Sequence, residues 1–285
     1  MTPRERFARG RLLTGAAARL EAAGVESPAY DASELLAFVL EVPRSRLPLV
    51  EDVSAAQAER FDHLVGQRAA RVPLQHLTGV AHFRHVELRV GPGVFVPRPE
   101  TELLAGWAVE QAAVLTAPVV VDLGTGSGAI ARSVAHEVRA ARVYAVELDE
   151  QAHSWAARNL AGTGVDLRQG DLADAFDDLA GTADVVVSNP PYIPHEAWES
   201  VAPEVRDHDP ELALYATGDG LDVIRVVERR AALLLRPGGQ VGVEHAEVQG
   251  RTAPAVFTAA GRWDQVRDHG DLAGRARFLT ARLAR

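Results

Sequence analysis

Val120-Val121-Asp122-Leu123-Gly124-Thr125-Gly126-Ser127-Gly128-Ala129-Ile130 is the stretch that decides the fold of this chain. Its β-branched start predicts a buried strand from Val119 to Leu123, and the apolar spacing after it predicts a helix from Ala129 to Val138. The glycines between them let the backbone turn sharply and let a ligand come close to the main chain. A strand, a glycine loop and a helix in this order open a doubly wound sheet, which binds ligands at the carboxyl ends of its strands.

The pattern continues downstream. Strands are expected at Val143 to Glu147, Val165 to Gln169, Ala183 to Ser188, Gln240 to Glu244, Trp263 to Arg267 and Ala276 to Ala281, and helices at Glu150 to Leu160 and Leu221 to Leu235. Alternation of this kind means an α/β domain with a mainly parallel sheet covered by helices. The glycines run G-x-G-x-G, with Ala129 in the third slot of a dinucleotide fingerprint, where Ala is permitted. Glu147 ends the next strand, where an acid accepts hydrogen bonds from a ribose hydroxyl pair. The loop therefore indicates a nucleoside cofactor; S-adenosylmethionine and NAD both carry such a ribose. A plain glycine turn with a surface Glu is the bland alternative.

Asn189-Pro190-Pro191-Tyr192 follows the strand Asp184 to Ser188. Two prolines cannot continue a central strand, so they form a stiff loop at the mouth of the sheet, beside the glycine loop. Its chemistry suits a planar nitrogen, whose delocalised lone pair makes it a weak nucleophile. The Asn189 side-chain carbonyl and the Pro190 backbone carbonyl can accept from its two N–H groups, and the Tyr192 ring can pack on its face. Transfer of a methyl group from a sulfonium then requires mostly positioning and no strong base. Taken alone, the motif is also compatible with a proline-rich turn; its order after a glycine loop and an acid in one sheet favours a site.

Upstream, residues from Arg4 to about Ala70 read as helices. Leu12, Leu13, Ala16, Ala17 and Leu20 share one face, Pro28 opens a second helix, and Ser54 with Gln57 forms a capping box before a third. From Phe83 the period drops to two, and Gly91-Pro92-Gly93 between Val90 and Val94 predicts a hairpin turn. The expected divisions are a helical domain over 1–75, a β-hairpin connector over 76–99 and a cofactor-binding domain over 100–285.

The formal net charge of -9 disfavours a generic grip on nucleic-acid phosphates. With no Cys, disulfides, thiolate nucleophiles and Cys-ligated metals are excluded, and the spacing of His76, His82 and His85 matches no metal site. No apolar run approaches a membrane span, and Met1 to Arg6 lead into a charged helix rather than a signal peptide. A cytoplasmic protein without metal is expected.

Taken together, these motifs resemble the release factor glutamine methyltransferase family (HemK-like N5-glutamine methyltransferases). Pro73 to Gly79 and Phe95 to Glu102 look like its connector, Asp122 to Ile130 like its cofactor loop, Asn189 to Ile193 like its substrate loop, and Glu204-Val205 with Asp209 to Leu214 like the segment after it. The resemblance implies a seven-stranded class I, Rossmann-like methyltransferase sheet, S-adenosyl-L-methionine as cofactor, and a peptide chain release factor as partner, engaged by the helical domain and modified on the glutamine of Gly-Gly-Gln. Carried over, the cofactor positions are Gly124, Thr125, Gly126, Ser127, Gly128, Glu147, Asp171, Leu172 and Asn189; the substrate positions are Asn189, Pro190, Pro191 and Tyr192, with Asn189 and Pro190 at the reacting nitrogen. Glu147 stands where many members have Asp, Leu172 where some have an aromatic residue near the adenine, and Asp209-Pro210 where Glu-Pro is commoner. Arg98 is expected either to brace the connector against Glu100 or Glu102, the favoured reading, or to contact the partner or the cofactor carboxylate, and Glu204, Asp207 and Asp209 to form a solvated face. Two other enzymes stay open on residues alone: a methyltransferase for exocyclic amines of adenine or guanine, and a nicotinamide-dependent oxidoreductase. A binding module that kept the pocket is a third.

Overall fold

The computed structural model describes residues 6–271 and 273–285. Arg4, where the helical pattern was expected to begin, lies outside them. The described residues up to Val80, together with Ala202–His208, form one compact unit; Ala81–Val201 with Asp209–Arg285 form another.

The first unit holds the three expected helices, α1 (Arg9–Ala22), α2 (Pro28–Leu40) and α3 (Ala55–Ala69). Pro28 opens α2, where its missing N–H costs nothing. The capping box forms: Gln57 N donates to Ser54 Oγ, and Ser54 N donates to Gln57 Oε1 at 3.1 Å. Leu20, Leu35, Leu36, Phe61 and Val65 meet in its core. Two features were not expected. Strand β1 (Arg6–Ala8) pairs antiparallel with β2 (Asp52–Ser54), and a short helix α4 (Leu74–Thr78) follows α3. Three-residue strands are too short to display a period.

A hairpin is present, but not where glycine and proline predicted it. Its strands are β3 (Val80–Phe83) and β4 (Val86–Arg89), joined at Arg84-His85 with Arg84 at φ 49°. Arg84 is held there by a two-pronged ion pair to Glu137, both contacts at 2.8 Å. Gly91-Pro92-Gly93 still turns the chain, with Gly93 at φ 88°, but it follows the hairpin rather than joining its strands, and Gly91 packs against α7. A Cβ on Gly91 would stand 2.7 Å from the Trp155 ring, whose Nε1 donates to the Pro92 carbonyl. Val94 and Val96 are buried without joining a strand.

The second unit continues with α5 (Thr101–Ala113), β5 (Val119–Leu123), α6 (Ala129–Glu137), β6 (Arg142–Glu147), α7 (Glu150–Leu160), β7 (Asp166–Gln169) and β8 (Ala183–Ser188). Then come β9 (Ile193–Pro194), the short helices α8 (Pro203–Arg206, in the first unit) and α9 (Glu211–Leu214), β10 (Tyr215–Ala216), α10 (Asp222–Leu234), β11 (Leu235–Glu244), α11 (Thr252–Ala259), β12 (Trp263–Gly270) and β13 (Ala276–Leu283). Seven strands form one sheet in the order β12-β13-β11-β8-β5-β6-β7. β11, β8, β5, β6 and β7 are mutually parallel, and β13 runs antiparallel between β11 and β12. Alternation along β5 sends Val119, Val121 and Leu123 to the layer of α10 and α11, and Val120 to the layer of α5 and α6. Both faces are therefore covered. The chain winds β5, β6, β7 to one side and returns to place β8 against β5, which makes the β5–β8 boundary the switch point.

Candidate active site

The register sets the site. Asp122 on β5 lies opposite Val187 on β8, and one step further Ser188 Oγ donates to the Leu123 carbonyl at 2.7 Å. The glycine loop and the Asn-Pro-Pro-Tyr loop thus leave adjacent strands at the same end of the sheet.

Within the glycine loop, Gly124, Gly126 and Gly128 all take positive φ, at 75°, 57° and 84°. A Cβ on Gly126 would meet nothing within 4 Å, so open space lies over the middle of the loop, whereas a Cβ on Gly128 would stand 3.1 Å from Leu160. Gly126 is permissive toward a ligand and Gly128 toward packing. Thr125 turns inward and donates to Asp122 Oδ2 at 2.6 Å, and Asn159 Nδ2 holds the Ser127 carbonyl at 2.8 Å. Glu147, at the end of β6, accepts from Gly126 N at 2.8 Å and from Asp149 N at 2.9 Å. Burial raises its carboxyl above the usual range against these amides. Leu172 packs beside the loop, 3.8 Å from a Cβ placed on Gly124, while Asp171 is exposed and caps its own turn through Ala173 N.

Asp122 opens the stretch that resembles the family's cofactor loop, but it is not among the cofactor positions carried over. It is sealed from solvent, its Oδ1 has no partner among the described residues, and burial pushes its carboxyl up to about 7 despite the hydrogen bonds from Thr125 and Ala131 N. A buried, half-satisfied acid beneath a glycine loop is a polar floor for whatever the loop holds.

On the other side, Asn189 is half-buried and its Nδ2 donates to Thr101 Oγ1 at 3.2 Å. The Tyr192 hydroxyl donates to Glu244 Oε1 at 3.2 Å. Gln249 Nε2 donates to the Tyr192 carbonyl at 3.0 Å and to Gly220 O at 3.3 Å. Burial, then Glu244, raises the Tyr192 phenol well above its ordinary value, and burial pushes Glu244 up to about 7. Thr101, Glu244 and Gln249 were not legible as site residues. One signal was available: Glu244 ends a parallel strand as Glu147 does.

A family model described as "PrmC N-terminal domain" matches residues 11–79, and one described as "Methyltransferase domain" matches residues 120–208. A release factor glutamine methyltransferase of Streptomyces coelicolor is 56% identical over 268 residues, covering 93% of this chain and 95% of that protein. The chain belongs to the release factor glutamine methyltransferase family. A further relative is the 4-amino-L-phenylalanine/4-methylamino-L-phenylalanine methyltransferase of Streptomyces pristinaespiralis, 48% identical over 209 residues and covering 72% of this chain and 71% of that protein. Among solved structures, a methyltransferase of Pyrococcus furiosus superposes with a TM-score of 0.52 at 20% identity, covering 77% of this chain and all of that one, which shows the fold alone.

Two expectations for this family member change. Arg98 braces, but against Asp209 at 2.5 Å rather than Glu100 or Glu102, with its guanidinium 4.9 Å from the Phe95 ring centre. Glu204, Asp207 and Asp209 do not form one solvated face. Asp207 is exposed, Asp209 is sealed against Arg98, and Glu204 takes Arg68 at 3.0 Å and Arg71 at 2.5 Å within the helical unit. The two arginines outweigh what burial costs Glu204, whereas at Asp209 burial outweighs Arg98 and pushes the carboxyl up to about 6. Among the described residues no group of three His, Asp or Glu could hold a metal ion, and no helix is long and apolar enough to cross a membrane.

Proposed function

We propose that this chain transfers a methyl group from S-adenosyl-L-methionine to the side-chain amide nitrogen (N5) of the glutamine in the Gly-Gly-Gln motif of peptide chain release factors. One observation carries the reading: a cofactor-type glycine loop and an Asn-Pro-Pro-Tyr loop end adjacent strands at the switch point. The residues fit the cofactor. Open space lies over Gly126, Asp122 Oδ1 has no partner among the described residues, Glu147 stands at the strand end for a ribose, and Leu172 supplies an apolar wall.

S-adenosyl-L-methionine supplies an electrophilic methyl group on a sulfonium. The protein's part is to hold the nucleophile. Asn189 Oδ1 and the Pro190 carbonyl accept from the two N–H groups of the substrate amide, which orients it and favours pyramidalisation as the new bond forms. Pro191 stiffens the loop, and Tyr192 packs on the planar group while its hydroxyl is tied to Glu244. The helical unit engages the release factor. The relative named for 4-amino-L-phenylalanine and 4-methylamino-L-phenylalanine supports the general rule that a related site can present a weakly nucleophilic nitrogen on a planar group to the methyl donor. A net charge of -9 argues against direct binding of nucleic acid, and a translation-factor substrate supports a cytoplasmic site of action.

The test is incubation with labelled S-adenosylmethionine and a purified release factor, followed by peptide mass spectrometry. A single added methyl on the Gly-Gly-Gln glutamine is expected. Label on DNA or RNA instead would replace this reading with the nucleobase alternative.

A further inference from the structure

We propose that Gln249 is a positioning residue that clamps the far end of the Asn189–Tyr192 loop, so that the Pro190 carbonyl is fixed in place before the substrate amide arrives. This rests on the roles given to Asn189 and Pro190 above.

The Pro190 carbonyl belongs to the main chain, so only the path of the backbone can aim it. Proline carries no N–H, and neither Pro190 nor Pro191 can be pinned by an amide donor of its own. The stretch has to be held at its two ends. At the near end Ser188 Oγ donates to the Leu123 carbonyl at 2.7 Å. At the far end the holder is Gln249, whose Nε2 donates to the Tyr192 carbonyl at 3.0 Å and to the Gly220 carbonyl at 3.3 Å.

Main-chain partners fix the direction of the Gln249 amide. Its Oε1 accepts from Ala246 N at 3.0 Å, a group that can only donate. The Tyr192 and Gly220 carbonyls can only accept. Flipped, the amide would set Oε1 against two carbonyl oxygens and Nε2 against an N–H, in a buried place. Gln249 is 4% exposed, and its own N–H donates to the Ala246 carbonyl at 2.8 Å, so the side chain starts from a closed turn. Gly220 completes the fit. With φ at 78°, a Cβ there would stand 2.7 Å from Gln249 Nε2 and 2.7 Å from the Tyr192 carbonyl oxygen. One side chain thus joins the substrate loop, the turn before α10 and the turn after β11.

The consequence lies in the barrier rather than in binding. A loop ordered beforehand need not be ordered while the methyl moves. Cofactor binding does not share this dependence, because the glycine loop is held by other partners, Glu147 and Asn159.

The test uses the full chain with S-adenosylmethionine and a purified release factor. Gln249→Glu keeps the length and the acceptor for Ala246 N, but its ionised carboxylate turns lone pairs on the Tyr192 and Gly220 carbonyls. In alkaline buffer we expect kcat to fall about 30-fold, with KM for the release factor and Kd for S-adenosylmethionine each within about twofold of wild type. As pH falls, the buried carboxyl regains a proton and with it one donor toward Tyr192, so the ratio of variant to wild-type kcat rises. Gln249→Met, apolar and of similar length, should lose kcat to a similar extent without recovery at low pH. Wild-type kcat in Gln249→Met overturns the proposal. So does a Gln249→Glu ratio that is flat in pH, or a loss matched by weaker cofactor binding. If the wild-type enzyme labels no release factor, the functional reading fails while the clamp is still tested: hydrogen exchange of the Tyr192 and Ile193 amides should be about tenfold faster in Gln249→Met than in wild type, and equal rates refute it.

Discussion

Arg68 in the helical unit and Glu244 in the sheet unit are both nearly sealed, at 7% and 4% exposure, yet they are held in opposite ways. Arg68 sits in a matched set. Its Nε donates to Asp31 at 2.7 Å and its terminal nitrogen to Glu204 at 3.0 Å, while Arg71 shares Glu204. Burial raises the Glu204 carboxyl, but Arg71, its own amide and Arg68 outweigh burial and leave it below the ordinary value. Glu244 has hydroxyl donors instead, with Arg277 only a weaker influence, and Asp122 has a hydroxyl and an amide; both carboxyls are pushed up to about 7 by burial. The difference separates structural charge from functional polarity. A paired cluster fixes chain segments to each other, and a buried acid held by neutral donors is a candidate for a group that a ligand would complete.

The comparison breaks most visibly at the substrate loop. Asn189→Ala should lower turnover by about 10²–10³-fold, the scale seen when one preorganised polar contact is removed, with the thermal midpoint and the affinity for S-adenosylmethionine near wild type. Steady-state kinetics beside isothermal calorimetry decide it; undiminished turnover would take Asn189 out of the mechanism. In the helical unit the same kind of truncation should do the reverse. Glu204→Ala leaves Arg68 and Arg71 short of an acceptor and should cost on the order of 3 kcal/mol of stability, read by urea unfolding, with cofactor affinity unchanged. A stability loss below that of an ordinary surface change would show the cluster to be incidental.

Proton linkage sharpens the contrast. Asp122 and Glu244 rise from 3.8 and 4.5 in the unfolded chain to about 7 in the folded one, so the folded state holds these protons more tightly. Their stabilisation is complete below about pH 4 and is lost as pH rises through about 7. Unfolding free energy of the cofactor-free protein should therefore fall between pH 6 and pH 8 by about 1 kcal/mol per carboxyl. Asp122→Asn should remove its share of that slope, and an unchanged slope would contradict the assignment. The smallest effect belongs to the helical unit: Ser54→Ala breaks the capping box and should cost about 1 kcal/mol, measured by thermal unfolding, with no change in turnover.

Long periodic segments announced themselves. α7 (Glu150–Leu160) and β8 (Ala183–Ser188) lie where hydrophobic spacing placed them, and the capping box at Ser54 forms as its residue types require. The hairpin did not follow its strongest local signal. Pro92 and Gly93 do make a turn, with Gly93 at φ 88°, but it joins no pair of strands, and Gly91 is small because the Trp155 ring from α7 lies against it. A glycine needed for close approach and a glycine needed for a turn are the same letter in a sequence.

The sequence by itself determined the order of the parts: strand, glycine loop, acid, strand and Asn-Pro-Pro-Tyr, each a local pattern carried by neighbouring residues. Only the tertiary structure decided who faces whom. Thr101 with Asn189, and Tyr192 with Glu244, are separated by dozens of residues and meet because α5, β8 and β11 pack together. The same holds for Arg98 with Asp209, and for Glu204 with Arg68. Periodicity records which face of an element is buried; it does not record which residue of a distant element will lie opposite. Hydrogen-bond partners are set by register and packing between elements, and that information exists only once the chain has folded.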